Sequence, residues 1–119
     1  MMASGVPAGA GITRSMPAGP LWLIGLRGDF DADSVEPVRE QIAEALAATA
    51  RPVVFDLSRL TFCDSQLLSV LLSAAVRRPV ALIGCPPPVR RLLEITGTGH
   101  VLPALPALDD AIARLAPQS

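Results

Sequence analysis

The residue of this sequence best placed to be chemically modified is a serine, Ser65. It directly follows Asp64, at the point where an apolar helical pattern begins. A hydroxyl at the start of a helix lies beside unpaired backbone N–H groups and the positive end of the helix dipole, so a phosphate added there is tolerated. Phosphorylation would add about −1.5 to −2 charges beside Asp64 and next to the apolar helix. The structural alternative is that Asp64 or Ser65 caps the helix, which contributes about 1 kcal/mol.

A second candidate is a pair of aspartates. Asp29 and Asp31 are separated by one residue, and in an extended segment this spacing puts both side chains on one side of the chain. Two such carboxylates can act as general acid and base or hold a divalent ion. Solvation of a loop and contact with a partner protein are the alternatives.

An enzymatic role has little support in the sequence. His100 is the only histidine, which excludes His-rich metal sites. Ser65, His100 and Asp56 are the residues from which a hydrolase triad would be built, but no serine lies in a Gly-x-Ser-x-Gly motif. Because bases and nucleophiles do not cluster, we expect no catalytic activity and no cofactor or metal.

Two cysteines, Cys63 and Cys85, each follow a predicted strand. If those strands are neighbours, a redox pair is geometrically possible. Free thiols that are buried or half-buried are the commoner situation. Two cysteines without metal-ligand spacing suit a reducing cytoplasm.

Composition predicts one soluble cytoplasmic domain. The chain has 119 residues, half of them apolar, and only 18% are charged. It carries no Lys, a net charge of −1 and 3% aromatic residues, so we expect no nucleic-acid partner. The longest apolar stretch, Leu67 to Val76, is shorter than the ~20 residues of a membrane-spanning helix, and no secretory signal is recognisable.

Apolar runs of strand type alternate with runs of helix type along the chain. We expect a flexible tail over residues 1–10, a domain over residues 11–119, and an edge strand within Gly11 to Met16. The first helix should begin after Ser34 as N-cap, with Pro37 at its third position. The further predicted strands are Leu21 to Leu26, Val53 to Leu57, Pro79 to Gly84 and a short one at Val101-Leu102; the further helices are Gln66 to Arg77, Val89 to Thr96 and Ala107 to Leu115.

This alternation predicts an α/β fold. We expect a single domain with a mostly parallel central sheet of four to five strands. About four helices should pack on it, mainly on one side.

Several local motifs, in this order, resemble the STAS domain of bacterial anti-sigma factor antagonists. Gly28-Asp29-Phe30-Asp31 is similar to the end of the family's opening strand, with one residue inserted. The strand Val53 to Leu57 and the Asp64-Ser65 step match its central strand and modified serine. Pro88 to Gly97 matches its helix of the pattern proline, valine, arginine, leucine, threonine-glycine, and Leu108 to Ala111 matches its closing helix.

The resemblance implies a STAS-like domain that binds an anti-sigma factor, an ATP-binding serine kinase. It implies that Ser65 is phosphorylated, that phosphorylation breaks the complex, and that a cognate phosphatase restores it. The ATP should be bound by the partner. The family's second Ser or Thr and following Gly are replaced here by Gln66 and Leu67, and the Leu side chain is expected to crowd the kinase.

That departure keeps a second hypothesis open. The domain would then be a STAS-like adaptor that binds a partner of a transport or signalling complex constitutively, with Ser65 as a helix cap. Under either hypothesis we expect the partner to contact the loop after the first buried strand and the helix after Ser65. The expected partner-binding residues are Asp29, Asp31, Asp33, Asp64, Ser65, Gln66, Leu68, Ser69 and Leu72.

Overall fold

The computed structural model describes residues 10–30, 32–62 and 64–116, without the side chains of residues 32, 33 and 62. Nearly all of the expected tail, the carboxylate of Asp31, the side chain of Asp33 and the thiol of Cys63 therefore lie outside the described part.

The described chain forms a five-stranded sheet and four helices. The strands stand in chain order, and β1 pairs antiparallel with β2 whereas all later pairs are parallel. This confirms the predicted α/β class and the mostly parallel sheet. In order along the chain, the elements are β1 (Gly11–Ala18), β2 (Leu21–Asp29), α1 (Ala32–Ala48), β3 (Val53–Phe62), α2 (Ser65–Arg77), β4 (Val80–Ile83), α3 (Pro87–Thr96), β5 (Ala104–Leu105) and α4 (Leu108–Leu115).

Each face of the sheet has its own apolar cluster, because side chains alternate along a strand. One face, here called the three-helix face, is covered by α1, α2 and α3, which pack on residues such as Ile24, Phe55 and Leu82. The opposite α4 face is covered by α4 over a smaller cluster that includes Leu23 and Val54. The helices thus lie mainly on one side, as predicted.

Two predicted boundaries were wrong. Ser34 is not the N-cap of α1, because the helix begins at Ala32, and Pro37 therefore lies inside it. No strand forms at Val101-Leu102. The backbone N–H groups of both residues donate to the carbonyl of Thr98 in a turn, so they are not available to a sheet, and β5 begins at Ala104.

The central strand β3 is longer than predicted. Its second half, from Ser58 onward, lies beyond the predicted end at Leu57 and continues the pairing with β2 as far as Phe62. Strand β3 therefore carries the chain directly to Asp64 at the start of α2.

A single arginine fastens the end of α1 to the end of α2. The guanidinium of Arg78 donates to the backbone carbonyls of Leu46 (2.8 Å), Arg51 (3.3 Å) and Thr49. The last carbonyls of a helix have no intrahelical partner, and here the residue that follows α2 supplies one to Leu46 of α1.

Candidate functional site

The N-terminus of α2 is capped by Asp64. Its carboxylate accepts hydrogen bonds from the backbone N–H of Gln66 (2.9 Å) and of Leu67 (3.2 Å), and its own backbone is extended. This is the geometry of an N-cap residue. Of the two residues that the sequence left as possible caps, Asp64 has that role.

Ser65 is the first residue of α2, and its side chain is exposed. Because Asp64 makes the capping bonds, the Ser65 hydroxyl is left at the surface, beside the positive end of the helix dipole. A cap and a modifiable hydroxyl are therefore separate groups at this helix start. The two interpretations of the Asp64-Ser65 step do not exclude each other.

The residues of α2 from Ser65 to Val76 include none with a charged side chain. Among them Gln66, Ser69, Ser73 and Val76 are exposed, and Leu72 is half-buried beside them. Val76 is 87% exposed, an unusual position for a large apolar side chain. We call this strip, from Ser65 to Val76, the outer face of α2. An uncharged helix face of this kind is more typical of a contact surface than of a solvated helix.

Leu67 and Leu68, near the start of α2, both point inward. Leu68 is only 5% exposed and belongs to the core on the three-helix face, so it is not part of the accessible strip, contrary to its inclusion among the partner-binding residues. Leu67 is fully buried as well. The Leu that replaces the family's Gly therefore packs into the core, and its side chain does not crowd the surface at Ser65.

The carboxyl ends of β2 and β3 bring Asp29 to the same edge of the sheet as Asp64-Ser65. Asp29 and Phe62 are register partners at the ends of these parallel strands, and Asp64 follows two residues later. The Asp29 carboxylate is exposed and accepts a hydrogen bond from the Thr61 hydroxyl. Sequence reasoning missed Thr61, because it did not extend β3 that far.

The residues considered for a hydrolase triad have other surroundings. The carboxylate of Asp56 accepts hydrogen bonds from Arg14 (2.9 Å) and from the backbone of Ser58 (3.0 Å), and His100 is exposed in the segment between α3 and β5. Burial raises the pKa of Asp56, but the hydrogen bonds from Ser58 and Arg14 and the charge of Arg14 outweigh it, so the pKa is lowered. Because its carboxylate is bonded to Arg14 and Ser58, Asp56 is not placed to orient a histidine.

Cys85 is a free, half-buried thiol just after β4. Burial raises its pKa to about 11, and the charge of Arg90 opposes this only in part. A thiol with a raised pKa is protonated at neutral pH and a weak nucleophile. The described chain gives no support to a redox role for it.

The family is settled by the match of the sequence itself. The sequence model described as "Mlab, STAS domain" matches residues 22–105, from β2 to the end of β5. This chain belongs to the STAS domain family. None of the curated protein sequences compared with this STAS domain matches it.

Several solved structures have the same fold as this STAS domain. An anti-sigma factor antagonist from Mycobacterium paratuberculosis superposes with a TM-score of 0.76 at 21% identity, covering 94% of this chain and 98% of that one. The Bacillus cell fate determinant SpoIIAA in its phosphorylated form gives 0.64 at 24% identity, with 87% and 98% coverage. RsbS from Moorella thermoacetica, as a serine-to-glutamate variant, gives 0.69 at 20% identity, with 86% and 92% coverage.

Among the residues that the structure describes, no helix combines the length and the apolar character needed to span a bilayer.

Proposed function

We propose that this STAS domain is an anti-sigma factor antagonist whose binding to an anti-sigma factor is controlled by phosphorylation of Ser65. The observation that carries the proposal is the exposed Ser65 hydroxyl at the first position of α2, next to an aspartate that already caps the helix. The likeness in fold to known antagonists supports the same role.

The proposed partner surface joins two parts of the molecule at one edge of the sheet. One part is the outer face of α2, and the other is Asp29 with the segment that follows β2, to which Asp31 and Asp33 belong. Asp64 lies between the two parts. An uncharged helix face can be desolvated by a partner at little electrostatic cost.

Phosphorylation would change this surface and spare the fold. The added phosphate lies beside the positive end of the α2 dipole, and Asp64 keeps its capping bonds, so the helix tolerates the phosphate. At the interface, however, about two negative charges beside Asp64 must lose their water when the partner binds. Repulsion and desolvation then weaken the complex. The phosphate would come from ATP bound by the partner kinase, and a phosphatase would remove it. The STAS domain itself would act in the cytoplasm, without a cofactor and without catalysis.

The direct test measures the affinity for the candidate kinase, an ATP-binding anti-sigma factor encoded in the same operon. We expect Ser65→Ala to bind like the wild type and Ser65→Glu to bind at least about tenfold more weakly, because a charge at the interface costs several kcal/mol. Gln41→Glu is the matched control, since it adds the same charge to an exposed position of α1 outside the proposed partner surface, and it should bind like the wild type. Equal affinities of Ser65→Ala and Ser65→Glu would contradict control by phosphorylation.

The modified residue can be identified independently. After incubation with the kinase and ATP, trypsin releases the peptide Leu60 to Arg77, which contains three serines. Mass spectrometry should locate the phosphate on Ser65. Phosphate on Ser69 or Ser73 would move the site to the middle of α2.

A second candidate function is supported by two observations. The matched family model is described by the name Mlab and not as an antagonist, and Gln66-Leu67 replaces the family's second Ser or Thr and Gly. In this case the domain is an adaptor that binds a subunit of a transport or signalling complex constitutively. The adaptor predicts that no phosphate is transferred to the Leu60 to Arg77 peptide and that Ser65→Glu retains full binding.

A further inference from the structure

Part of the α4 face is not covered by α4 and forms a polar pocket. The pocket has a volume of about 480 Å³ and lies over the second halves of β2 and β3 and the start of β1. Its size is within the range of ~300–1,000 Å³ that is usual for small-molecule sites. It is lined by Thr13, Arg14, Leu26, Arg27, Asp56, Ser58 and Arg59.

Two irregularities in the sheet direct polar residues into this pocket. Between Gly25 and Arg27, strand β2 advances two residues while β3 advances three, from Asp56 to Arg59. Strict alternation from the buried Leu57 would turn Arg59 toward the core of the three-helix face. The extra residue instead lets Leu60 take the next core position, and Arg59 lines the pocket. Bulges often redirect a side chain in this way next to functional sites.

Strand β1 has a matching irregularity at the same level. It advances two residues from Ile12 to Arg14 while β2 advances one, which adds Thr13 to the pocket wall. The floor beneath is Gly25, where a Cβ would collide with the Thr13 hydroxyl and come within 3.2 Å of Cγ of Arg14. A residue with a side chain at position 25 would fill the pocket from below.

One side of the pocket is held rigidly. The Asp56 carboxylate accepts from both Arg14 and the backbone of Ser58, which fixes two of the lining residues. Ser58 is also packed closely against Gly84, which follows β4. A Cβ at position 84 would lie 2.8 Å from the Cβ of Ser58. Preorganised polar groups lose little entropy when a ligand binds.

The charges of the pocket favour an anion. Arg27 and Arg59 are register partners on adjacent strands, and both line the pocket. The Arg59 side chain is exposed and makes no hydrogen bond or ion pair with any residue in the described ranges. Asp56 is the single acid of the lining against three arginines. The planar guanidinium group of arginine can donate two parallel hydrogen bonds to the oxygens of a phosphate group. The hydroxyls of Thr13 and Ser58 can donate to the same oxygens.

We infer that this pocket binds a small phosphorylated molecule, with its phosphate group between Arg59 and Arg27. The pocket lies on the α4 face, whereas α2 with Ser65 packs on the opposite face. The inference therefore does not depend on the proposed function, and the two can fail separately.

The test is calorimetric titration of the full chain with pyrophosphate at constant ionic strength. We expect saturable binding by the wild type and binding at least about tenfold weaker for Arg59→Gln, which loses a charged hydrogen-bonding group. Arg59→Lys, which keeps the charge without the fork, should lie between the two. Arg51→Gln removes the same charge from an exposed position outside the pocket and should bind like the wild type.

Arg59 is exposed, so its variants should fold, and circular dichroism can verify that they do. Absence of saturable pyrophosphate binding by the wild type would overturn the inference. An equal loss of affinity in Arg51→Gln and Arg59→Gln would overturn it as well, because the attraction would then be to net charge and not to this pocket.

Discussion

Arg14 and Asp56 form an ion pair that spans strand β2, with 2.9 Å between Nη2 of the arginine and Oδ2 of the aspartate. Both residues are register partners of Gly25, one on each side, and the pair passes over this residue because it has no side chain. The bridge joins the antiparallel edge strand β1 to the central strand β3, although the two strands share no backbone pairing.

The hydrogen bonds from Ser58 and the pairing with Arg14 lower the pKa of Asp56 and so make stability depend on pH in a defined direction. Because the folded-state pKa of Asp56 is lowered, the unfolded chain binds a proton more tightly than the folded chain does. The stabilisation is complete above the ordinary value of 3.8 and is lost as the pH falls through the lower folded-state value. We expect the free energy of unfolding of the wild type to decrease more on acidification than that of Asp56→Asn, as measured by urea denaturation between about pH 7 and about pH 3.

The control for this comparison is Asp109→Asn, which removes an exposed acid from the first turn of α4. Its free energy of unfolding should decrease on acidification as much as that of the wild type, because Asp56 is still present. Parallel pH profiles of Asp56→Asn and the wild type would show that the pKa of Asp56 is the same in the folded and unfolded chain.

Arg78 should contribute more to stability than its neighbour in sequence. Arg78→Ala removes the donor of three hydrogen bonds to the carbonyls of Leu46, Thr49 and Arg51, two of which are partly buried. We expect the free energy of unfolding to fall by about 2 kcal/mol. Arg77→Ala removes an exposed cation from the last turn of α2 and should cost only about 0.5 kcal/mol. Equal costs in urea denaturation would mean that the carbonyls find water as an equivalent partner.

The assignment of the cap to Asp64 can be tested apart from any partner. Asp64→Ala should lower the free energy of unfolding by about 1 kcal/mol, because the N–H groups of Gln66 and Leu67 lose their acceptor. Asp64→Asn keeps a capping oxygen and should retain most of the stability. Ser65→Ala should change stability by less than about 0.5 kcal/mol. If Ser65→Ala were the more costly change in thermal or urea denaturation, the serine would be the cap and its hydroxyl would not be available for modification.

The sequence predicted the elements whose pattern is set by local periodicity. The buried runs from Leu21 and Val53 and the amphipathic helices gave the α/β class, and Gly97 ends α3 in the left-handed conformation that favours glycine. The second half of β3 was not predictable in the same way. Its polar residues and its bulge interrupt the two-residue alternation on which strand prediction depends.

The two candidate sites differ in how far apart their residues lie in the sequence. Ser65 could be predicted because Asp64, Ser65 and the following helix are adjacent in sequence. The pocket could not, because Arg14 and Asp56 are 42 residues apart, and only the pairing of β1 and β3 with β2 brings them together. A polar residue inside an apolar strand, as Asp56 is, was the one local signal that something on that face requires charge.

The order of strands in the sheet has a consequence for how the domain is made. Each strand from β2 to β5 pairs with the strand immediately before it in the chain, so no strand has to insert between two that are already joined. During translation, each newly synthesised strand can pair with the strand made just before it, so sheet formation does not require a segment that is synthesised much later. We therefore expect assembly from the first hairpin onward, with α4 closing the second face last.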